Sequence, residues 1–320
     1  KPPVANRIEV IGQTTDLSTL ELDNPIGREM SAGETHRYQV FLEAGQYFRV
    51  TVAQSDIDAA IAVFDPSGKP VLDASYDGAG TSDAVEIVAD GGGNYRLEVR
   101  PFENPAEPGQ YRISLEAVRV ATAQDRRSFE AALAYHEGIE LYQQGTAQSL
   151  RQAIETWKAI LPVWREIGDR SKEALTLNFL GFVSDMLGET RQALDYFQQA
   201  LPLIQAVGSR TGEASILINL AGMYNDLGES PKALEYYQQA LPIFRAMGER
   251  ALEAVTLNGI GNVYLSLGEQ QQALDYFEQS LPLRRAVGDR SGEARTLNNI
   301  GSVYNSLGDK QQALDYYNQA

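Results

Sequence analysis

The sequence predicts a two-domain chain of class β + α, with an N-terminal antiparallel β-sandwich of jelly-roll kind followed by an α-helical solenoid. Three observations predict this. The length of 320 residues exceeds the ~100–200 of one ordinary domain. Short runs of aromatic and β-branched residues fill the chain before about residue 120. After that point five sequence markers recur with a step of 40. Hydrophobic residues at 43% and charged residues at 22% describe a globular chain.

Residues 1–17 read as an N-terminal extension or first strand. Arg7-Ile8-Glu9-Val10-Ile11 is an edge-strand candidate that could pair with another copy's sheet. The sandwich is expected over 18–120. Arg37–Leu42 and Tyr47–Val52 read as strands, with Glu43-Ala44-Gly45-Gln46 as a hairpin turn between them. Ala59–Phe64 follows and is closed by the turn Asp65-Pro66-Ser67-Gly68. Val85–Val88, Tyr95–Val99 and Tyr111–Leu115 complete the set. In the last two, apolar and polar residues alternate, so one face of each is buried.

The solenoid is expected over 121–320, with units at about 126–168, 169–208, 209–248, 249–288 and an incomplete 289–320. Leu-Gly recurs at 187–188, 227–228, 267–268 and 307–308. Ala-Leu-x-Tyr-aromatic recurs at 193–197, 233–237, 273–277 and 313–317. Leu-Pro begins at 161, 201, 241 and 281, Gly-x-Arg at 168, 208, 248 and 288, and Glu-Ala at 173, 213, 253 and 293. One period shared by five markers means a stack of two-helix units. Asp169 or Ser171 is placed to cap the first helix of a unit, and Gly188 to end it. Ser230-Pro231 reads as an N-cap followed by Pro at N1, and Asp309 with Gln312 has capping-box spacing. Gly181, Gly261 and Gly301, with Ala221 in the same slot, keep one spot small where the two helices of a unit meet. Gly138 and Gly145 match Gly181 and Gly188, so the first unit is a degenerate copy.

The set Leu257, Ile260, Gly261, Tyr264, Ala273, Phe277 and Ser280 resembles a tetratricopeptide repeat. The long unit with Leu-Asn-x-Ile-Gly-x-Val-Tyr, best seen at 297–308, is similar to the kinesin-light-chain type and to the bacterial repeats that often precede a CHAT protease domain. The resemblance covers about 126–320. Gly-Gln-Tyr at 45–47 and 109–111 makes residues 34–116 resemble a pre-peptidase C-terminal β-sandwich of secreted bacterial proteins. One departure is the proline: the usual one near the end of the second helix is missing, and Pro sits earlier, at 162, 202, 242 and 282, which predicts a kink there.

The resemblance implies a groove lined by the first helix of each unit. By position this face carries Asn178, Asn225, Asn258, Asn262, Asn298 and Asn305, with Arg295. An amide offers both donor and acceptor, so an Asn ladder suits an extended peptide backbone. Asn is a poor helix former, so its recurrence needs a reason. The tyrosine pairs 236–237 and 316–317 read as repeat packing.

Composition removes several function classes. Lys+Arg 27 against Asp+Glu 43 leaves −16, which argues against nucleic acid and anionic membranes. No apolar run nears the ~20 residues of a membrane helix. With no Cys, thiol chemistry and Cys-ligated zinc are excluded. His36 and His136, in different domains, form no metal pair. Gly91-Gly92-Gly93 lacks the Lys-Ser/Thr of a phosphate loop and reads as a turn. Asp73, Asp77 and Asp83 flank Gly78 and Gly80 in a loop that reads as solvated and acidic, without EF-hand spacing. No catalytic set, metal or cofactor is expected.

Three functional readings follow. The first is a non-enzymatic protein–protein interaction scaffold that takes a protein or peptide in the groove. The second is a self-assembling subunit of an extracellular fibre. Its joint would be Ile8, Val10 and Ile11 at one end and Leu297, Ile300, Leu314 and Tyr317, left open near Ala320, at the other. The third, implied by the resemblance, is the sensor arm of a longer CHAT-type protease. The expected location is secreted or periplasmic, with cytoplasmic as the alternative.

Overall fold

The computed structural model describes residues 17–54, 57, 59–73, 83–101 and 108–320. It divides into two compact units, with the boundary between Leu133 and Ala134. Ile8, Val10, Ile11 and Asp77 lie outside the described residues, and so does any side-chain reading of Asp73 and Asp83.

Among the described residues the first unit holds nine strands: β1 (Leu17–Thr19), β2 (Ile26–Met30), β3 (His36–Leu42), β4 (Gln46–Gln54), β5 (Ala59–Phe64), β6 (Pro70–Asp73), β7 (Asp83–Val88), β8 (Gly93–Pro101) and β9 (Gly109–Val120). They form two sheets, ordered β1-β3-β8-β5-β6 and β2-β9-β4-β7. All pairings are antiparallel except β1 with β3. The two sheets share one core, in which Tyr38, Val40, Leu97 and Val99 of one sheet join Phe48, Val50, Ile87 and Ile113 of the other. The alternation at Tyr95–Val99 and Tyr111–Leu115 is seen as expected, with every second side chain buried.

The turn at 43–46 is not a hairpin. β3 pairs with β1 and β8, whereas β4 pairs with β7 and β9, so the chain crosses from one sheet to the other there. Gly45, at φ 81, donates its N–H to the Ala89 carbonyl, and Ala89 N–H returns to Gln46. Those backbone groups therefore join the second sheet rather than closing a two-strand turn. The turn at 65–68 does close a hairpin. Asp65 Oδ1 accepts from the backbone of Ser67 and Lys69 and from the Ser67 hydroxyl, and β5 pairs with β6.

Ten helices are described: α1 (Ala123–Gln143), α2 (Ala147–Ile167), α3 (Arg170–Met186), α4 (Thr190–Val207), α5 (Arg210–Asp226), α6 (Ser230–Met247), α7 (Arg250–Ser266), α8 (Gln270–Ala286), α9 (Arg290–Ser306) and α10 (Lys310–Gln319). Thr122 and Asp125 open α1 with a reciprocal cap. The Thr122 N–H donates to Asp125 Oδ2, and the Asp125 N–H donates to Thr122 Oγ1. The Arg119 guanidinium also grips Asp125 and holds its carboxyl well below the usual carboxylate range. Phe129 on α1 enters the sandwich core.

In the second unit the slot of small residues does what its position predicts. A Cβ on Gly181, Gly261 or Gly301 would lie 2.7, 2.5 or 2.7 Å from the ring of Phe197, Phe277 or Tyr317. Gly138 stands against Trp157 in the same way. Where Ala221 takes the slot, the Tyr237 ring lies against Gly259 of the next helix, with a Cβ there only 2.5 Å away. Gly168, Gly188, Gly208, Gly228, Gly248, Gly268, Gly288 and Gly308 all have positive φ at helix ends, the conformation the repeated glycines predict. Asp169 caps α3 and Asp309 caps α10 through backbone N–H groups of Lys172 and Gln312. Ser230 is not a cap. Glu229 holds that position without a side-chain bond, and Ser230 is the first residue of α6, buried with its hydroxyl 3.5 Å from that of Ser266. The helices α2, α4, α6 and α8 continue through their prolines.

The Glu of each Glu-Ala marker ties one unit to the next. Arg165, Arg245 and Arg285 donate to Glu173, Glu253 and Glu293, and Gln205 donates to Glu213. Each bond joins the end of one helix to the first turn of the next, where charge and helix dipole agree. Leu297 and Ile300, expected to be open, are buried, because α8 and α10 both pack on α9. Leu314 (52% exposed) and Tyr317 (41%) are the exposed ones of that group.

Candidate peptide-binding groove

The 3.6-residue period puts residues four, then three, apart on one side of a helix. Counting in steps of 40 gives one column of side chains for each position on that side. The columns are Asn178, Ile218, Asn258, Asn298; then Phe182, Gly222, Asn262, Ser302; then Asp185, Asn225, Leu265, Asn305; then Met186, Asp226, Ser266, Ser306. They lie on α3, α5, α7 and α9, and side-chain amides tie α3 to α5 and α7 to α9. Asn219 Nδ2 reaches Asn178 Oδ1 at 3.4 Å. Asn299 Nδ2 donates to Asn258 Oδ1 at 3.3 Å and to Asn262 Oδ1 at 3.0 Å. The Thr296 hydroxyl lies 3.2 Å from Asn258 Oδ1.

The amides therefore have a direction. The carbonyl ends of Asn178, Asn258 and Asn262 are taken by the neighbouring helix. Their Nδ2 groups make no hydrogen bond among the described residues. What they offer is a row of donors, not the mixed donor–acceptor ladder that the residue type alone suggests. All three are half-buried, whereas Asn298, Asn305 and Arg295 are exposed and take no part in these ties. Asn225 is half-buried, and its Oδ1 is buried with no donor.

Asn219 and Asn299, the partners of the ladder, were not singled out by the sequence. They stand one residue past the Asn178 column, where Phe179 and Gly259 hold the other units. The Asn298-Asn299 doublet was the available signal. Sequence reading also passed over the non-amide members of the face. Phe182 (39% exposed) and Met186 (49%) are open on α3. Gly222 is a gap, with nothing within 4 Å of where its Cβ would stand. Asp185 and Asp226 sit in the last turns of α3 and α5. Burial, and secondly the Asp226 charge, raise the Asp185 carboxyl above its ordinary pKa.

The tyrosines form a separate repeat. Tyr224–Tyr236, Tyr264–Tyr276 and Tyr304–Tyr316 stack with ring centroids 5.4, 5.5 and 5.5 Å apart. Tyr236 and Tyr316 are thus packed within their own units, as their positions predict, and Tyr237 is buried and raised to about 12 by burial.

The sandwich carries a different polar cluster. His36 Nδ1 and the Tyr38 hydroxyl each lie 2.6 Å from the Tyr111 hydroxyl. This bridges the two sheets. His136 stands edge-on to Tyr135 in the other unit. Among the described residues no group of three or more His, Cys, Asp or Glu could hold a metal ion, and no helix is long and apolar enough to cross a membrane.

Comparison with known proteins agrees with the helical half. The tetratricopeptide repeat matches residues 212–286 and 294–320. A search of curated proteins gave no match. Among solved structures, aspartyl phosphate phosphatase F from Bacillus subtilis is similar at 18% identity and TM-score 0.54, over 62% of this chain and 51% of that one. A signal transduction ATPase with a tetratricopeptide repeat sensor from Pyrococcus horikoshii matches at 20% identity and TM-score 0.51, over 61% and 29%. A variant of a candidate kinesin light chain from Podosopora anserina, with nearly identical TPR-like repeats, matches at 15% identity and TM-score 0.50, over 62% and 94%. The chain spans about half of the B. subtilis phosphatase. At these identities the likeness is one of fold. Residues 212–286 and 294–320 match the tetratricopeptide repeat, and the helices form a solenoid of that fold.

Proposed function

We propose that this chain is a non-enzymatic scaffold that holds an extended segment of a partner protein across the shared face of α3, α5, α7 and α9. One observation carries the reading: the row of half-buried Asn178, Asn258 and Asn262, whose carbonyls are taken and whose Nδ2 donors are not. An extended peptide presents carbonyls along its length at ~3.3 Å per residue. Packed helices lie ~8–10 Å apart, and Asn178 on α3 stands two such steps from Asn258 and Asn262 on α7, so the donors would hold the segment at two separated points. Such contacts hold a backbone with little regard to its side chains. Asn298, Asn305 and Arg295, all exposed, extend the same face toward its far end.

The test uses the full chain, immobilised, with a display library of random twelve-residue peptides. Gly222→Trp is the control, because a side chain there enters open space on the face rather than the core. Wild type is expected to recover a pool that the Gly222→Trp variant does not. Equal recovery by both, or none by either, overturns the groove. A recovered peptide should then bind Asn258→Ala and Asn262→Ala more weakly, by about 0.5–1.5 kcal/mol for each lost donor.

A further inference from the structure

We infer that the occupant of this face, if the groove reading above holds, is a cationic segment: a Lys or Arg side chain lodged between Asp185 and Asp226, next to an aliphatic or aromatic residue lodged against Phe182 and Met186. The face is not uniform along the stack. Its α7–α9 end is amide and hydroxyl, with Asn258, Asn262, Asn298 and Ser302. Its α3–α5 end combines apolar surface with negative charge.

The apolar part is fixed in place. Phe182 meets Tyr142 edge-on at 5.8 Å, which holds one side of its ring. The rest stays open, as does Met186 one turn on. Gly222 occupies the Phe182 column on α5, so a side chain docked on Phe182 meets a gap rather than a wall.

The charge decides what fills that gap. Asp185 and Asp226 both stand in the last turn of a helix, where the dipole disfavours an anion. Asp226 follows the Asp185 column by one residue on the neighbouring first helix, and its charge adds to the burial that raises Asp185. Among the described residues neither has a cation within salt-bridge distance. Among the described residues, Lys232 at the start of α6 is used on Glu229, and the exposed Arg191 at the start of α4 makes no salt bridge to either carboxylate. Asn225 lies in the Asp185 column and directly before Asp226, and its buried Oδ1 lacks a donor as well. The two carboxylates thus lack a partner cation, and the Asn225 carbonyl oxygen lacks a donor. An ammonium or guanidinium brings three to five N–H donors and one positive charge, which answers both deficits. A hard metal ion is a poorer match, since calcium seeks six to eight oxygens.

The experiment reads the composition of the recovered peptide pool. Wild type is expected to enrich Lys or Arg adjacent to Leu, Met or an aromatic residue. The Asp185→Asn/Asp226→Asn double variant, isosteric and checked for unchanged circular dichroism, should lose the basic preference and keep the apolar one. A recovered basic peptide should bind this variant about tenfold more weakly than wild type by fluorescence anisotropy. Its Lys→Gln version should bind both proteins alike. A pool that depends on an open Gly222 but shows no basic enrichment overturns this inference and leaves the groove standing. Binding that is lost in EDTA also overturns it, since a metal would then hold the carboxylates. A pool indifferent to Gly222→Trp overturns the groove and this inference together.

Discussion

In the sandwich one core draws on strands far apart in the chain: Tyr38 of β3 bonds Tyr111 of β9, and Phe48 of β4 faces Tyr95 of β8 at 6.4 Å. In the solenoid each cluster draws on neighbouring helices, as Ala214 and Leu217 do with Ala240 and Phe244, or Phe277 with Ile300 and Val303. A long-range core rises or falls as a whole. A stack of nearest-neighbour contacts can lose one part and keep the next. The same residue type should therefore have different consequences in the two places.

The largest test compares two fully buried rings. Phe48→Ala and Phe277→Ala should each cost about 3–5 kcal/mol. Hydrogen exchange should show protection lost across β2–β9 in the first variant and only around α7–α10 in the second. Loss that spreads from Phe277 back to α3 would erase the contrast.

A buried cation sharpens it. Arg284, 3% exposed, takes the slot that holds Trp164, Ile204 and Phe244 in earlier units. Gly292 makes room for it, and Asp289 both pairs with it and caps α9. Asp289→Ala should cost about 1–3 kcal/mol by urea denaturation, since it strands a buried donor and removes a cap. Adding Arg284→Met should recover most of that loss, because the slot is otherwise apolar.

Glycine supplies an internal control. Gly261→Ala should destabilise by about 1–3 kcal/mol, because the new methyl overlaps the Phe277 ring. Gly222→Ala should stabilise by up to ~1 kcal/mol, because its surroundings are empty and only helix propensity changes. If both shift the melting temperature alike, the small slot is not a contact.

The smallest effect belongs to the sandwich. Burial, and after it Arg28, hold the His36 imidazole below its ordinary pKa against the opposing Glu34, 4.0 Å away. Tyr38 and Tyr111 face it from the core, and both are pushed up by burial. The unfolded chain accepts a proton near pH 6.5 that the folded sandwich resists. The contribution is therefore complete above about pH 6.5 and is lost as pH falls through the folded value. His36→Gln should flatten the fall in denaturation midpoint between pH 7.5 and pH 5.

The contrast also explains what could be read in advance. Gly181, Gly261 and Gly301 pointed correctly to the tight helix contact, because a fixed step of 40 repeats the same environment and four copies report on one place. The strands had no such copies. Their alternation told which side was buried but not which strand lay beside which, so Gly45 was read into a hairpin that is a crossing. Leu297 and Ile300 were read as open because the sequence counts neighbours along the chain, while α8 and α10 cover α9 from both sides. In the groove the Asn columns were visible. Which end of each amide was free was not, because that depends on Asn219 and Asn299, which sit off the column.

Sequence alone determined the local decisions: the helix length between each Leu-Gly and the next Gly-x-Arg, the left-handed glycines, the caps at Asp169 and Asp309, and the buried side of each strand. These depend on backbone sterics and on hydrogen bonds a few residues apart. Tertiary structure decided the partition of strands between sheets, the seat of Tyr237 against Gly259, and the capture of the Asn178, Asn258 and Asn262 carbonyls by the neighbouring helix. Those outcomes rest on contacts between residues distant in the chain, where the energy of a side chain depends on what packs beside it and not on what precedes it.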